Sequence, residues 1–316
     1  MLKLLLRKAI QGVAMLLAVS AVSFALLSAA GGDAFSGLRD NPQVSDKTIE
    51  HLRSVYGLDR PLPVRYGKWL AGAIVGDLGE SIFFRVSVSA LVWTRFLSTL
   101  ILAVIALFFA ISISLSLSIL SARYRNRTLD AFIEVLILLT SSTPRIVLAL
   151  LALALTVRFS SLAANSQWGS FSSVLLASFV LAVPMISLFL AQAHEGLSKA
   201  MNEDFVLYAR AKGLSEWAVI GRHALRAALN PFLTLFGLSL GALLGGSVIV
   251  ETVLGWPGIG ALIVTAVRNR DVPVVMGVVL AASLAVWFGN TIAELLQMLN
   301  DKRIGQTENN NRDDGR

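Results

Sequence analysis

Long apolar runs separated by short polar segments dominate the chain. They cover approximately residues 9–30, 96–120, 131–157, 174–193, 232–253 and 274–296. A helix needs about 20 apolar residues to cross the hydrocarbon of a bilayer. The pattern therefore predicts an all-α polytopic membrane protein with six transmembrane helices. Lys3, Arg7 and Lys8 precede the first run, and Arg123, Arg125 and Arg127 lie between the second and third. Short basic segments stay on the cytoplasmic side, so both clusters agree on an N-terminus inside the cell. Lys302 and Arg303, after the sixth run, put the C-terminus there too. A signal peptide is the other reading of residues 1–30, but Ala29-Ala30-Gly31 is a weak cleavage signal and a retained span is preferred.

The polar segments divide into kinds. Residues 31–95 read as an external subdomain, with an amphipathic helix near Ser45 to Tyr56 that places Ile49, Leu52, Val55 and Tyr56 on one face. A short external loop with Arg158, Gln167 and Trp168 follows the third run. Residues 254–273 read as an external loop in which Gly255, Pro257, Gly258 and Gly260 make turns. The apolar stretch 261–267 within it is too short to span. Residues 300–316 form a polar tail whose composition predicts disorder.

The longest polar interruption of the second half is residues 196–231. Asn202 is placed to cap a helix with Glu203 and Asp204 in its first turn. Val206, Ala209 and Ala211 give that helix an apolar side, and Gly213 supplies the left-handed residue that ends it. Ser215 caps a second helix, and Asn230-Pro231 breaks the pattern before the next span. The result is a basic helix, glycine turn and helix between two membrane segments. A cytoplasmic loop resting on lipid headgroups is one reading of it.

Composition narrows the function. Of 316 residues, 55% are hydrophobic and only 15% charged, against roughly 25% charged in soluble domains. The net charge of +7 fits cytoplasmic basic loops, and no aromatic-basic interleaving suggests nucleic acid. The absence of cysteine excludes disulfides, thiolate metal sites and cysteine nucleophiles. His51, His194 and His223 have no metal-ligand spacing, and no cofactor is indicated.

Inside the spans, four features stand out. Ser112, Ser114, Ser116 and Ser118 alternate with a period that is not helical, so no polar stripe is read from them. Pro144 predicts a kink in the third span. Arg145 beside it falls near mid-membrane, where a cation costs at least ~2.5 kcal/mol by insertion scales. It meets an acidic group of a partner, lines a pathway for carboxylate-bearing cargo, or lies near a membrane interface because the helix boundary is shifted. Gly237, Gly241 and Gly245 recur every four residues and allow close helix packing, within the chain or against another subunit.

The run Ala209-Arg210-Ala211-Lys212-Gly213-Leu214-Ser215, followed by His223-Ala224-Leu225-Arg226 and Pro231, resembles the coupling loop of ABC importer permeases, specifically the dipeptide/oligopeptide/nickel branch. So do Tyr56-Gly57-Leu58-Asp59-Arg60-Pro61, Gly76-Asp77-Leu78-Gly79-Glu80-Ser81, and the later set Glu251, Pro257-Gly258-Ile259-Gly260, Arg270-Asp271 and Pro273. Two departures are visible: Leu207-Tyr208-Ala209 stands where the wider pattern has Glu-Ala-Ala, and Gly32-Asp33-Ala34 where Gly-Asp-Pro is frequent. The resemblance implies a type I ABC importer permease fold in a bacterial inner membrane, forming half of a translocation pathway for peptides, nickel or metal chelates. It implies a second permease subunit, two ATPase subunits and an extracytoplasmic solute-binding protein as partners. It further implies that Glu203, Asp204, Ala209, Arg210, Lys212, Gly213, Leu214 and Ser215 couple to the ATPase. Arg145, Pro144, Gly258, Gly260, Arg270 and Asp271 become pathway or gate candidates.

The sequence contains no G-x-x-x-x-G-K-[ST] segment, so ATP hydrolysis would belong to a partner and no catalytic residue is assigned. An ion-coupled secondary carrier is the alternative. Such carriers place ionisable groups mid-membrane and show internal repeats; here Arg145 stands alone and no repeat is evident. An intramembrane enzyme would need a His or Lys opposite a Ser, and no defensible spacing provides one.

Overall fold

The structure, a computed structural model, describes residues 2–30, 45–55, 57–158 and 171–300. The Gly32-Asp33-Ala34 segment, Gln167, Trp168 and the tail beyond Asn300 lie outside them, as do the side chains of Leu52 and Tyr56. The helices in chain order are α1 (Leu2–Ala29), α2 (Asp46–Val55), α3 (Leu62–Ile74), α4 (Val88–Tyr124), α5 (Arg127–Ser142) and α6 (Arg145–Arg158). They continue with α7 (Phe171–Ala200), α8 (Asp204–Ala211), a short turn (Glu216–Ala218) with a π-helical segment (Val219–Ala224), α9 (Leu225–Leu254), α10 (Ile259–Arg268) and α11 (Val272–Asn300). The chain divides into two compact units, residues 1–99 with 257–285, and residues 100–256 with 286–316.

In the first unit, α3 lies against α1. The Tyr66 hydroxyl shares a 3.0 Å hydrogen bond with Ser20, and its ring stands 5.5 Å from that of Phe24. Gly277 of α11 allows close approach of α4: a Cβ there would meet Val88 at 2.8 Å. Ile49 is buried as its position on α2 predicts, but Val55 is 65% exposed, so the apolar face is shorter than the pattern suggested.

The second unit is built around α7, whose Leu181, Met185, Phe189 and Leu190 are buried against α5, α6 and α9. The α9 and α11 segments run antiparallel. Asn300 donates to the carbonyl of Arg226 at 3.2 Å, and Gln297 donates to Thr234 at 2.8 Å. Further along, a Cβ on Gly237 would meet Ala293, and one on Gly289 would meet Leu240. Two glycines of the four-residue stripe, Gly237 and Gly241, thus face α11 of the same chain, while Gly245 has no atom within 4 Å of its Cβ position.

Among the described residues, five helices are each long and apolar enough to cross a membrane, and the bent pair α5–α6 brings the number to six if it counts as one span. Two expectations need correction. The third span is not a kinked helix: α5 and α6 meet at a 92° bend. Thr143 is extended (φ −87°, ψ 117°), as the residue before a proline tends to be. Pro144 immediately precedes α6 and its carbonyl accepts from the N–H groups of Val147 and Leu148, at a helix start where a missing N–H costs nothing. Conversely, Pro231 does not end a helix but lies inside α9, as Pro184 lies inside α7. Membrane helices tolerate this because neighbouring groups take up the freed carbonyl.

Candidate functional site

Three places in the chain bring together the residues singled out from sequence. The first is the segment between α7 and α9. Val206 and Ala209 of α8 are buried with Leu197, Ala200, Met201, Val219, Ile220 and Ala224 in a small core of their own. At the end of α8 the N–H of Gly213 donates to the carbonyl of Arg210 at 2.9 Å, and that of Leu214 to Ala209 at 3.3 Å. Gly213 has φ +77°, the left-handed conformation that costs other residues roughly 1–2 kcal/mol. Arg210 then reaches across the turn, donating from Nε and Nη2 to the two carboxylate oxygens of Glu216 at 2.8 and 3.2 Å. This two-pronged pair fixes the angle between α8 and the helical segment after it. The hydrogen bond from Arg210 also holds the Glu216 carboxyl below its ordinary value.

Sequence reasoning differs from this geometry in several details. Glu203, not Asn202, occupies the cap position of α8 and makes no side-chain cap bond. The Asn202 amide instead donates to the Ser198 carbonyl at 3.1 Å. Ala211 is exposed. Ser215 accepts from the Ala218 N–H at 3.4 Å, a weak cap. A Cβ on Gly213 would meet nothing within 4 Å, so backbone conformation alone sets its identity and crowding plays no part. Asp204, Lys212 and Leu214 are exposed. Leu207 and Tyr208, marked in the sequence only as a departure from the Glu-Ala-Ala pattern, and Trp217 are 68%, 72% and 53% exposed on the same knob. Exposed apolar side chains of this size make this part of the knob a candidate interaction surface. Its signal was present in the sequence as aromatics at polar-side helix positions.

The second place is the segment after α9. Gly255 turns the chain with φ +69°. The Ile259 N–H donates to the Thr99 hydroxyl at 2.9 Å, which starts α10 with a buried bond. Gly258 is buried before α10, and Gly260 lies inside the helix instead of in a turn. Arg270 is exposed in a left-handed conformation (φ +53°). Asp271 is fully buried and its Oδ2 accepts from the Ser81 hydroxyl at 2.6 Å and from the Phe83 N–H at 3.0 Å. Its partners therefore lie in this chain, and the carboxylate ties the segment around Ser81 to the start of α11.

The third place is the break between α5 and α6. Arg145 opens α6 and is half-buried. Its guanidinium rests on buried Gly246 of α9, where a Cβ would come 2.6 Å from Nη1. Pro144 fixes the break beside it. Arg145 and Gly246 lie in the second unit, and the Asp271 contacts lie in the first.

The comparisons with known proteins give the class to which this architecture belongs. Residues 114–306 match the family described as binding-protein-dependent transport system inner membrane component, and residues 1–115 match its N-terminal domain. The chain belongs to this family and is a multi-pass inner-membrane protein. It is 35% identical to a protein of Brucella suis biovar 1 whose name describes a peptide permease, over 97% of this chain and 100% of that one. It is 32% identical to the oligopeptide transport system permease protein AppB of Bacillus subtilis, over 95% and 98% of the two chains. It is 31% identical to the glutathione transport system permease protein GsiC of Salmonella paratyphi A, over 94% and 96%.

Proposed function

We propose that the chain forms half of the translocation pathway of an ATP-driven importer for small peptides. It pairs with a second permease subunit, two ATPase subunits and an external solute-binding protein. Both termini and the knob between α7 and α9 face the cytoplasm. The observation that carries this reading is the knob itself. It has a core of its own, a glycine turn locked by the Arg210–Glu216 pair, and an outer face of Leu207, Tyr208 and Trp217 open to a partner. Such a body presents a rigid anchor to a groove, and buried aromatic anchors dominate protein interfaces. The peptide cargo follows from the relatives' names and from Arg145, a cation set at a break within the apolar region and suited to a peptide carboxylate.

Uptake of labelled peptide into proteoliposomes holding the full complex tests the reading. Uptake should require ATP and ignore proton or sodium gradients. The same assay with Arg145→Gln should slow transport or change cargo preference. Gradient-driven, ATP-independent uptake would make the chain a secondary carrier.

A further inference from the structure

The ends of α4, α5 and α7 nearest the knob line a polar pocket of about 260 Å³ that is open on one side. Its chemistry comes from Ser118, Ser121 and Arg125 of α4 and the residue after it, Asp130 and Glu134 of α5, and His194 of α7. Asp130 and Glu134 are one helical turn apart and so share a face. Ser121 donates to Asp130. Ser118 is 2% exposed, lines the cavity, and its hydroxyl has no hydrogen-bond partner. A buried hydroxyl without a partner is costly, and a donor group held against this wall would offset that cost. No other described residue hydrogen-bonds the Glu134 carboxylate or the His194 imidazole.

The spacing selects the ligand. Among the described residues, no three His, Asp or Glu side chains converge closely enough to hold one metal ion. Two carboxylates and a hydroxyl nevertheless line one space, with a guanidinium in its wall. That set matches a molecule carrying an ammonium group at one end and a carboxylate at the other. An ammonium presents three donors, and Asp130, Glu134 and Ser118 present acceptors. Arg125 suits the opposite end. The volume is just under the ~300–1,000 Å³ of drug-sized sites and suits an amino acid or dipeptide. We propose that this cavity is a cytoplasm-side site for a small zwitterionic peptide, distinct from the break at Arg145. Met201 and Asn202 also line it, and they lead directly into α8. A peptide bound there touches the root of the knob, so imported product reports back to the coupling element.

The inference rests on the importer reading and on the knob facing the cytoplasm. Its test uses the assembled transporter in nanodiscs, without binding protein, titrated with glycylglycine and with N-acetyl-glycylglycine. Glycylglycine should bind, the acetylated form about tenfold more weakly. Glu134→Gln should weaken glycylglycine binding about tenfold, and Ser118→Ala should weaken it several-fold. Equal binding of the two peptides, or binding untouched by Glu134→Gln, overturns the proposal. So does an absence of binding in a complex whose wild-type form still shows ATP-driven uptake. Gradient-driven uptake instead overturns the importer reading, and that readout is independent of the titration.

Discussion

Replacing Gly237 with alanine puts a methyl group where α9 meets α11. The new Cβ would lie 2.8 Å from the Ala293 Cβ, 3.0 Å from the Asn290 Oδ1 and 3.2 Å from the Asn290 Cα. Carbon atoms pack best at about 3.5–4.0 Å. One contact is backbone, so α11 itself must retreat, and overpacking of this kind costs typically ~1–3 kcal/mol. Against it stands the helical preference of alanine over glycine, about 0.8–1 kcal/mol. Gly245, two turns along the same helix, provides the control. A Cβ there meets nothing within 4 Å, so Gly245→Ala retains the helical gain and lacks the clash. Comparing the two variants cancels the propensity and leaves the packing cost, with Gly237→Ala less stable by roughly 1–3 kcal/mol. Thermal unfolding of the purified chain in detergent measures the difference. Adding Ala293→Gly to Gly237→Ala relieves the shortest contact and should recover part of the loss, a coupling of about 0.5–3 kcal/mol. The packing argument fails if Gly237→Ala is as stable as Gly245→Ala, or if the cycle shows no coupling. A Gly245→Ala chain that is stable alone but weakens the permease pair assigns that face to the second subunit.

Three further outcomes follow from the geometry. Gly213→Ala should cost about 1–2 kcal/mol of backbone strain in the knob and reduce co-purification with the ATPase, whereas Gly213→Asn should come close to wild type; equal behaviour of the two removes the left-handed turn from the argument. Asp271→Ala leaves the buried Ser81 hydroxyl without its acceptor, about 1–3 kcal/mol, and also removes the acceptor of the Phe83 N–H, a residue that is half exposed. Proteolysis near residues 78–88 should accelerate, and unchanged cleavage would show the tie to be dispensable. Glu216 has a folded pKa below its unfolded value, because Arg210 hydrogen-bonds the charged form. Its contribution is therefore present above the unfolded value and lost as pH falls through the lowered folded one. Hydrogen exchange across residues 204–224 should speed up below the ordinary carboxylate value, and Glu216→Gln should abolish that step.

The membrane architecture was legible because apolar runs of span length have few alternative fates. The all-α class and the family follow from them and from the motifs around Gly213, Gly79 and Gly258. The break at Thr143–Pro144 was read as a kink because a proline alone does not say whether the helix resumes along the same axis. The opposite error occurred at Pro231, where flanking packing carries the helix through. The alternating serines concealed a face. Ser114, Ser118 and Ser121 are buried on one side of α4, at spacings of four and three, while Ser116 is exposed. Spacing could have shown that line, but only the tertiary contacts tell which serines α7 covers: Ser114 donates to the Ile186 carbonyl at 3.3 Å. The Arg210–Glu216 pair was hidden for a similar reason. Six residues apart, the two meet only because the glycine turn folds one helix back on the next.

The helical path from Glu216 to Leu254 contains no turn. A short helical stretch, a π-helical segment and α9 run into one another, a rod of roughly 58 Å at 1.5 Å per residue. A load applied at Trp217 therefore cannot dissipate in a slack connector. It travels along the axis, and the compliant points on the way are the wide hydrogen-bond rings of residues 219–224 and the missing donor at Pro231. In the proposed importer, these two joints would set how much of a displacement at the knob reaches Gly246 and the guanidinium of Arg145 resting on it.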